Sequence, residues 1–440
     1  MRLKPLLINS AIWRGACFAS LFLLNIVIAR YLQATASGWI YYMTNFLLLV
    51  VMVTSLNLEQ GILFSAAQKK IAANKLASLA LLWCGLIAAV VCLFTYFYYQ
   101  NPGAGVTTRQ LIFFVTCYVA GLMLTNFFSS LFYARQNYWL PNGVMALTNV
   151  LLCGWIIVAH NMEAPDAFRQ KVLLLYFVNY GVQGLVIALS FYFIYRTPGT
   201  KWRLPAYDSL KPLLRYSVFA LAINVILFLL YRVDYWFVQN KCAVCGAYDL
   251  GNYIQVSKIA QIFLMLPAIV TTAVLPATAA GHAQQMSQLL QPLSRLFTNL
   301  YFVLVAVVAA FGHWLFPFVY GNTFTHMYVP FLLLIPGILS LPLTGILVSY
   351  NAGQNNLSVN FKAGLLALAI IMTGDILLIP RFGIEAAALV SSAGYIANLL
   401  YLLMVFKKEQ PATAYHFFII RKTDFSRITG MLSSKNNTGV

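Results

Sequence analysis

Charge is scarce in this chain. Only 9% of its 440 residues are Asp, Glu, Lys or Arg, against about 25% in an ordinary soluble domain. With 61% hydrophobic residues and a mean hydropathy of +0.79, water is not its main solvent. The vocabulary of catalysis is missing too. There is no H-E-x-x-H, no G-K-[ST] phosphate loop and no G-x-S-x-G elbow, and His160, His282, His313, His326 and His416 are scattered. No segment is large enough for a soluble ATPase or glycosyltransferase domain, and the longest connector on the outer side, around "HNMEAPDAFRQK", has 12 residues. These absences point to a transporter, not an enzyme. The opening apolar run lacks a small-residue cleavage site and reads as a first spanning helix, with no cleavable leader.

A zinc site is excluded by the same kind of shortage. Of seven cysteines, Cys17, Cys84, Cys92, Cys117 and Cys153 fall in apolar runs and read as packing residues. Cys242 and Cys245 form a single C-x-x-C, and no second pair exists to complete a four-ligand set. Two readings of that pair stay open, incidental thiols or a local disulfide.

What is present is apolar length. Twelve runs lie near or above the roughly 20 residues that a spanning helix needs: 6–29, 38–66, 76–99, 110–134, 139–160, 171–195, 213–239, 250–279, 294–320, 327–350, 359–379 and 384–406. None alternates over about 10 residues as a barrel strand would. The fold class expected is an all-α polytopic membrane protein, with about 12 transmembrane helices in two six-helix bundles around a central cavity.

The net charge of +18 is a matter of topology. With the N-terminus in the cytoplasm, 20 of the 28 basic residues fall on the cytoplasmic side. Six fall outside (Arg30, Arg109, Arg169, Lys171, Lys241 and Arg381), and Arg232 and Lys258 lie within spans. This is the positive-inside bias. It places both termini in the cytoplasm and leaves no basic patch for nucleic acid.

The connector "YRTPGTKWRLPAYDSLKPLLRY", Tyr195 to Tyr216, carries three prolines and five basic residues. It divides the chain into an N-terminal half (1–200), a cytoplasmic linker (201–212), a C-terminal half (213–406) and a basic cytoplasmic tail (407–440). "TASGWIYYM" (Thr35 to Met43) and "YDLGNYIQV" (Tyr248 to Val256) occupy corresponding places in the halves, each with a glycine before an aromatic-rich helix start. Parallel repeats of this kind hold substrate between them. Prolines inside spans, Pro267 and Pro276 in the eighth and Pro330, Pro336 and Pro342 in the tenth, free backbone groups that neighbours or a watery cavity must satisfy.

Five ionisable residues stand inside spans: Arg14, Glu59, Arg232, Asp234 and Lys258. Each is costly there and is a functional candidate by default. Arg14 either snorkels to the cytoplasmic interface or meets an anionic cargo. Residues two apart on a helix point to different sides, so Arg232 and Asp234 cannot share a partner. The reading pairs Asp234 with Lys258 and leaves Arg232 for an anion such as a substrate phosphate. Asp375 is a sixth charge, nearer a span end.

Three stretches carry a likeness. They are "IARYLQATASGWIYYM" (Ile28 to Met43), "VDYWFVQNKCAVCGAYDLGNYIQVSKIAQIFLMLPAIVTTAVLP" (Val233 to Pro276) and "LIPRFGIEAAALVSSAGYI" (Leu378 to Ile396). In this order, with this span count, the chain resembles the polysaccharide biosynthesis (O-antigen, Wzx-type) flippases of the multidrug/oligosaccharidyl-lipid/polysaccharide exporter superfamily. Glu385 and Asp375 depart from the pattern, which commonly has a small or apolar residue and an asparagine there. The resemblance implies a MATE-like fold in a bacterial cytoplasmic (inner) membrane. It also implies a cargo, a polyprenyl-diphosphate-linked oligosaccharide moved from inner to outer leaflet by alternating access. Arg14, Arg232 and Lys258 would bind the diphosphate, and Glu59 and Asp234 would be charge partners or ion-coupling sites. No cofactor is expected beyond coupling to a sodium ion, a proton or the membrane potential. A polysaccharide polymerase and glycosyltransferases are the expected partners of a monomeric protein. The rival reading is a cation-coupled multidrug exporter of the same fold, against which three interior bases outnumber two acids.

Overall fold

A computed structural model describes residues 3–68, 71–98, 106–195, 203–263, 283–354 and 356–409. Among them every regular element is helical: α1 (Leu3–Thr54), α2 (Leu58–Ala67), α3 (Ala73–Tyr98), α4 (Thr108–Ala134), α5 (Trp139–Ala159), α6 (Pro165–Tyr195), α7 (Tyr207–Lys241), α8 (Asp249–Ile262), α9 (Ala283–Tyr320), α10 (Tyr328–Gly353) and α11 (Leu357–Glu409). Nine of these helices are long and apolar enough to cross a membrane. Pro267, Pro276, the rest of the expected eighth span from 264 and the tail beyond Glu409 lie outside the described residues.

Two of the nine are hairpins. In α1, Gln33 leaves helical geometry (φ 62°, ψ 178°), and the Tyr41 hydroxyl donates to the Asn25 carbonyl at 2.8 Å. Sixteen residues of straight helix would hold those groups about 24 Å apart, so the chain folds back at Gln33. In α11 the break is at Gly383 (φ 64°, ψ −142°). A Cβ at Gly374 would press on Val390 and one at Gly394 on Ile371, contacts that only antiparallel legs can make. Both breaks fall between the apolar runs read from hydropathy, 6–29 from 38–66 and 359–379 from 384–406.

The run 38–66 is not one span. The helix ends at Thr54, Leu56 and Asn57 both take left-handed backbone (φ 51° and 53°), and α2 restarts at Leu58. Trp83 Nε1 caps the end by donating to the Thr54 carbonyl at 3.0 Å. Two consecutive non-glycine residues in that region are uncommon, and Glu59 stands immediately beyond them.

The chain divides within α7 into two compact units, Met1–Val225 and Ile226–Val440. α7 itself begins at Tyr207 and carries Pro212, so the end of the 201–212 segment is helical. In the first unit, α4 and α6 run parallel and touch backbone to backbone. A Cβ at Gly184 would overlap the Gly121 carbonyl, and one at Gly121 would overlap that of Tyr180. Small residues at such crossings let membrane helices pack closely. Gly184→Val should therefore cost about 3 kcal/mol or more, read as a lower thermal midpoint in detergent. Gly154→Val, where a Cβ meets nothing within 4 Å, should leave the midpoint unchanged.

In the second unit, Leu343, Ile346, Leu347 and Tyr350 of α10 pack on Val359, Ala363, Leu402 and Phe406 of α11. Pro336 and Pro342 lie inside α10, and the Gly337 N–H beside the first donates to Ser392 Oγ of α11 at 2.7 Å. A neighbouring helix thus supplies the partner that a proline-disturbed backbone needs.

Candidate functional site

α7 and α8 are joined by a short loop, so residues equally far from it face each other. That geometry builds the site. Tyr235 and Tyr253 meet with ring centroids 5.9 Å apart. One step along, the buried Asp234 carboxylate accepts from the Tyr253 hydroxyl, from Ser391 Oγ of α11 at 3.1 Å and from the Tyr235 N–H at 2.9 Å.

Asp375, on the first leg of α11, is 0% exposed and within electrostatic reach of Asp234. Neither of its carboxylate oxygens has a hydrogen-bond partner among the described residues. Buried carboxylates within electrostatic reach of each other resist carrying two charges. Among the described residues no three His, Cys, Asp or Glu side chains gather as a metal cluster would require. The chemistry offered is two carboxylates and hydroxyls, all hard oxygen donors.

Arg232 points elsewhere, as a two-residue offset requires. Its Nη2 donates to Gln261 Oε1 at 3.1 Å, and its guanidinium lies over the Phe228 ring at 5.2 Å. Lys258 is within electrostatic reach of it. Gln261 also donates from Nε2 to the Tyr235 hydroxyl at 3.3 Å, which ties the basic side of the site to its aromatic edge. The expected pairing of Asp234 with Lys258 is therefore corrected. Asp234 is held by Tyr253 and Ser391, and Lys258 lies within electrostatic reach of Arg232. The offset that separates Arg232 from Asp234 also sorts bases and acids into two groups.

The remaining two candidates belong to the first unit. Arg14 is exposed on α1, over the rings of Tyr133 and Tyr138 at 5.0 and 5.6 Å, cation–π contacts that hold its charge beside α4 and α5. Glu59 is half-buried on α2, and its Oε2 has no hydrogen-bond partner among the described residues.

Sequence reasoning set Asp375 aside and gave Tyr253 and Ser391 no role. An acid alone in "MTGDILLIP" was the available signal, while the hydroxyls had none.

Cys242 and Cys245 are joined as a disulfide, which decides between the two open readings. The bridge packs on the α11 break: a Cβ at Gly383 would lie 3.3 Å from Val244 and 3.5 Å from Cys245 Sγ. Beyond it Asp249 accepts from the Gly246 N–H at 2.7 Å and pairs with His326 Nδ1 at 2.6 Å.

This arrangement of helices is one that solved transporter structures share. A structure described as the lipid II flippase MurJ, in an inward closed conformation, is similar over 98% of this chain and 94% of its own, with TM-score 0.69 and 13% identity. An inward-facing multidrug resistance MATE family transporter of the MOP superfamily is similar over 89% and 96%, with TM-score 0.63 and 12% identity. The Vibrio cholerae MATE transporter VcmN in its bent form is similar over 95% and 99%, with TM-score 0.61 and 18% identity. No family model matches the sequence, and no curated protein does. At these identities the likeness defines the fold alone: an all-helical membrane fold like those of the MATE transporters and MurJ.

Proposed function

We propose that this protein is a cation-coupled flippase of a bacterial inner membrane, in the Wzx-type branch of its superfamily. It carries a polyprenyl-diphosphate-linked oligosaccharide from the inner to the outer leaflet by alternating access. The observation that carries the reading is that Arg232 of α7, tied to Gln261 of α8 at 3.1 Å, and Lys258, one turn before Gln261, are both half-buried cations within electrostatic reach of each other. A diphosphate meets two cations on neighbouring helices with charge-assisted hydrogen bonds. It is also the part of a lipid-linked sugar that is hardest to move through hydrocarbon.

Arg14 makes the earlier contact with the diphosphate, from the first unit, and Glu59 is a charge partner or ion-coupling site. Asp234, with Asp375, binds the coupling ion, a proton or sodium. The basic-residue split and the Cys242–Cys245 bridge, a bond that suits an oxidising compartment, both support an outward α7–α8 loop and cytoplasmic termini.

A multidrug exporter is the second reading, because a buried acid pair also suits organic cations. Deleting the gene decides between them. The flippase reading expects lipid-linked oligosaccharide to build up on the inner leaflet and a surface polysaccharide to disappear. Unchanged polysaccharide with raised sensitivity to cationic dyes would instead establish the exporter.

A further inference from the structure

The first unit carries a second polar site, far along the chain from those above. α4 and α6 run parallel and begin side by side. Each turns from polar to apolar within its first turns, after Gln110 in one and after Lys171 in the other. In a bilayer that change marks headgroup depth. Between the two helix starts lies a cavity of about 240 Å³ lined by Asp166, Arg169, Gln110, Gln170 and Phe114. A neighbouring one of about 530 Å³ shares Gln110, Gln170 and Phe114 and adds Arg109, Lys171 and Phe113.

The charges of this cradle are of both signs and in a definite order. Lys171 is already engaged, with Nζ 2.7 Å from Glu163 Oε1. Arg169 lines the first cavity and Arg109 the neighbouring one, and the two flank the shared Gln110 and Gln170 as the cationic groups. Arg169 is half-buried, and its Nε has no hydrogen-bond partner among the described residues. Asp166 lies three residues before Arg169, on the same helix face, roughly 5–6 Å away at Cβ level. Below them Phe113 is 48% exposed and Leu174 40% exposed, an apolar wall that continues into the depth of the acyl chains.

A phosphate beside two arginines, an ammonium beside a carboxylate a few ångströms away, and hydrocarbon beneath both describe one kind of molecule. We infer that this cradle binds a membrane phospholipid whose headgroup carries a phosphate and a primary ammonium, the phosphate at Arg109 and Arg169 and the ammonium at Asp166. A headgroup without the ammonium would leave Asp166 facing a phosphate, which like-charge repulsion disfavours.

The test uses the purified full-length protein in detergent, titrated in parallel with short-chain phosphatidylethanolamine and phosphatidylglycerol and read by native mass spectrometry. Phosphatidylethanolamine should bind about tenfold more tightly, and Arg169→Gln should weaken both lipids about tenfold. Asp166→Asn should abolish the preference between them. Equal affinity of the two lipids for the unaltered protein would overturn the assignment. So would phosphatidylethanolamine binding unchanged by Arg169→Gln, or displacement of the lipid by millimolar inorganic phosphate, which would mark a site for a free anion. The thermal midpoint without lipid checks folding. Should Arg169→Gln not fold, Asp166→Asn decides alone, and a preference that survives it overturns the proposal.

Discussion

Asp375→Asn should leave a folded protein that no longer couples transport to an ion gradient. Asp375 brings a second carboxylate close to Asp234, and both of its oxygens lack hydrogen-bond partners among the described residues. An amide in its place removes like-charge repulsion and breaks no hydrogen bond seen in the structure, so the thermal midpoint should hold or rise. Ion-driven transport should fall about a hundredfold, the upper range for a coupling free energy of ~1–3 kcal/mol. Stabilisation of the purified protein by the coupling cation should vanish with it, because a bound ligand stabilises only the state that holds it. Asp234→Asn should differ. It loses part of the acceptor that Tyr253, Ser391 and the Tyr235 N–H share, at a cost of about 1–3 kcal/mol, and membrane abundance should drop as well as transport. If Asp375→Asn transports normally, with an unaltered ion dependence, the acid pair is structural.

Arg232→Ala should abolish transport with little loss of folded protein. The arginine meets Gln261, Phe228 and the charge of Lys258, while the hydrogen bonds of Asp234 come from Tyr253, Ser391 and the Tyr235 N–H. Arg232→Lys should rescue only in part, because lysine lacks the planar fork that grips a phosphate by two hydrogen bonds. Gln261→Ala is the control. If the only work of Arg232 is to hold Gln261, the two alanine variants will behave alike; if it binds cargo, Gln261→Ala will be much the milder. Normal polysaccharide export by Arg232→Ala at normal expression would reduce the arginine to an interface anchor.

Much of this fold is legible in the sequence because hydropathy measures what a bilayer rewards. The turns of α1 and α11 sit where the apolar runs break, near Gln33 and Gly383. The interruption at Leu56 and Asn57 was invisible, since both lie in an unbroken apolar run and the departure is in backbone angle alone. Helical periodicity was enough to send Arg232 and Asp234 to different neighbours. It was not enough to name those neighbours, because Ser391 is 157 residues from Asp234 and only packing brings α11 against α7. Asp375 was undervalued for a related reason. Its importance lies in a second acid that is distant in sequence, and distance along a chain says little about which buried charges meet.

The cradle between α4 and α6 was hidden for another reason. Arg109, Arg169 and Lys171 entered the reading only as a count of basic residues outside. Which of them has a partner already and which has an unbonded buried nitrogen is a property of side-chain geometry. The pairing of Lys171 with Glu163 and the orphaned Nε of Arg169 separate two residues that topology treats alike.

The central claim is that a cation gradient drives a diphosphate-linked lipid across the membrane through this protein. It is tested most directly in proteoliposomes loaded with a fluorescent polyprenyl-diphosphate oligosaccharide, with leaflet exposure followed by a membrane-impermeant quencher while a sodium or proton gradient is applied. The account predicts net movement of the lipid only with the gradient in place, lost in both Arg232→Ala and Asp375→Asn. Gradient-driven uptake of an organic cation by the same vesicles, with the lipid left where it was, would contradict it.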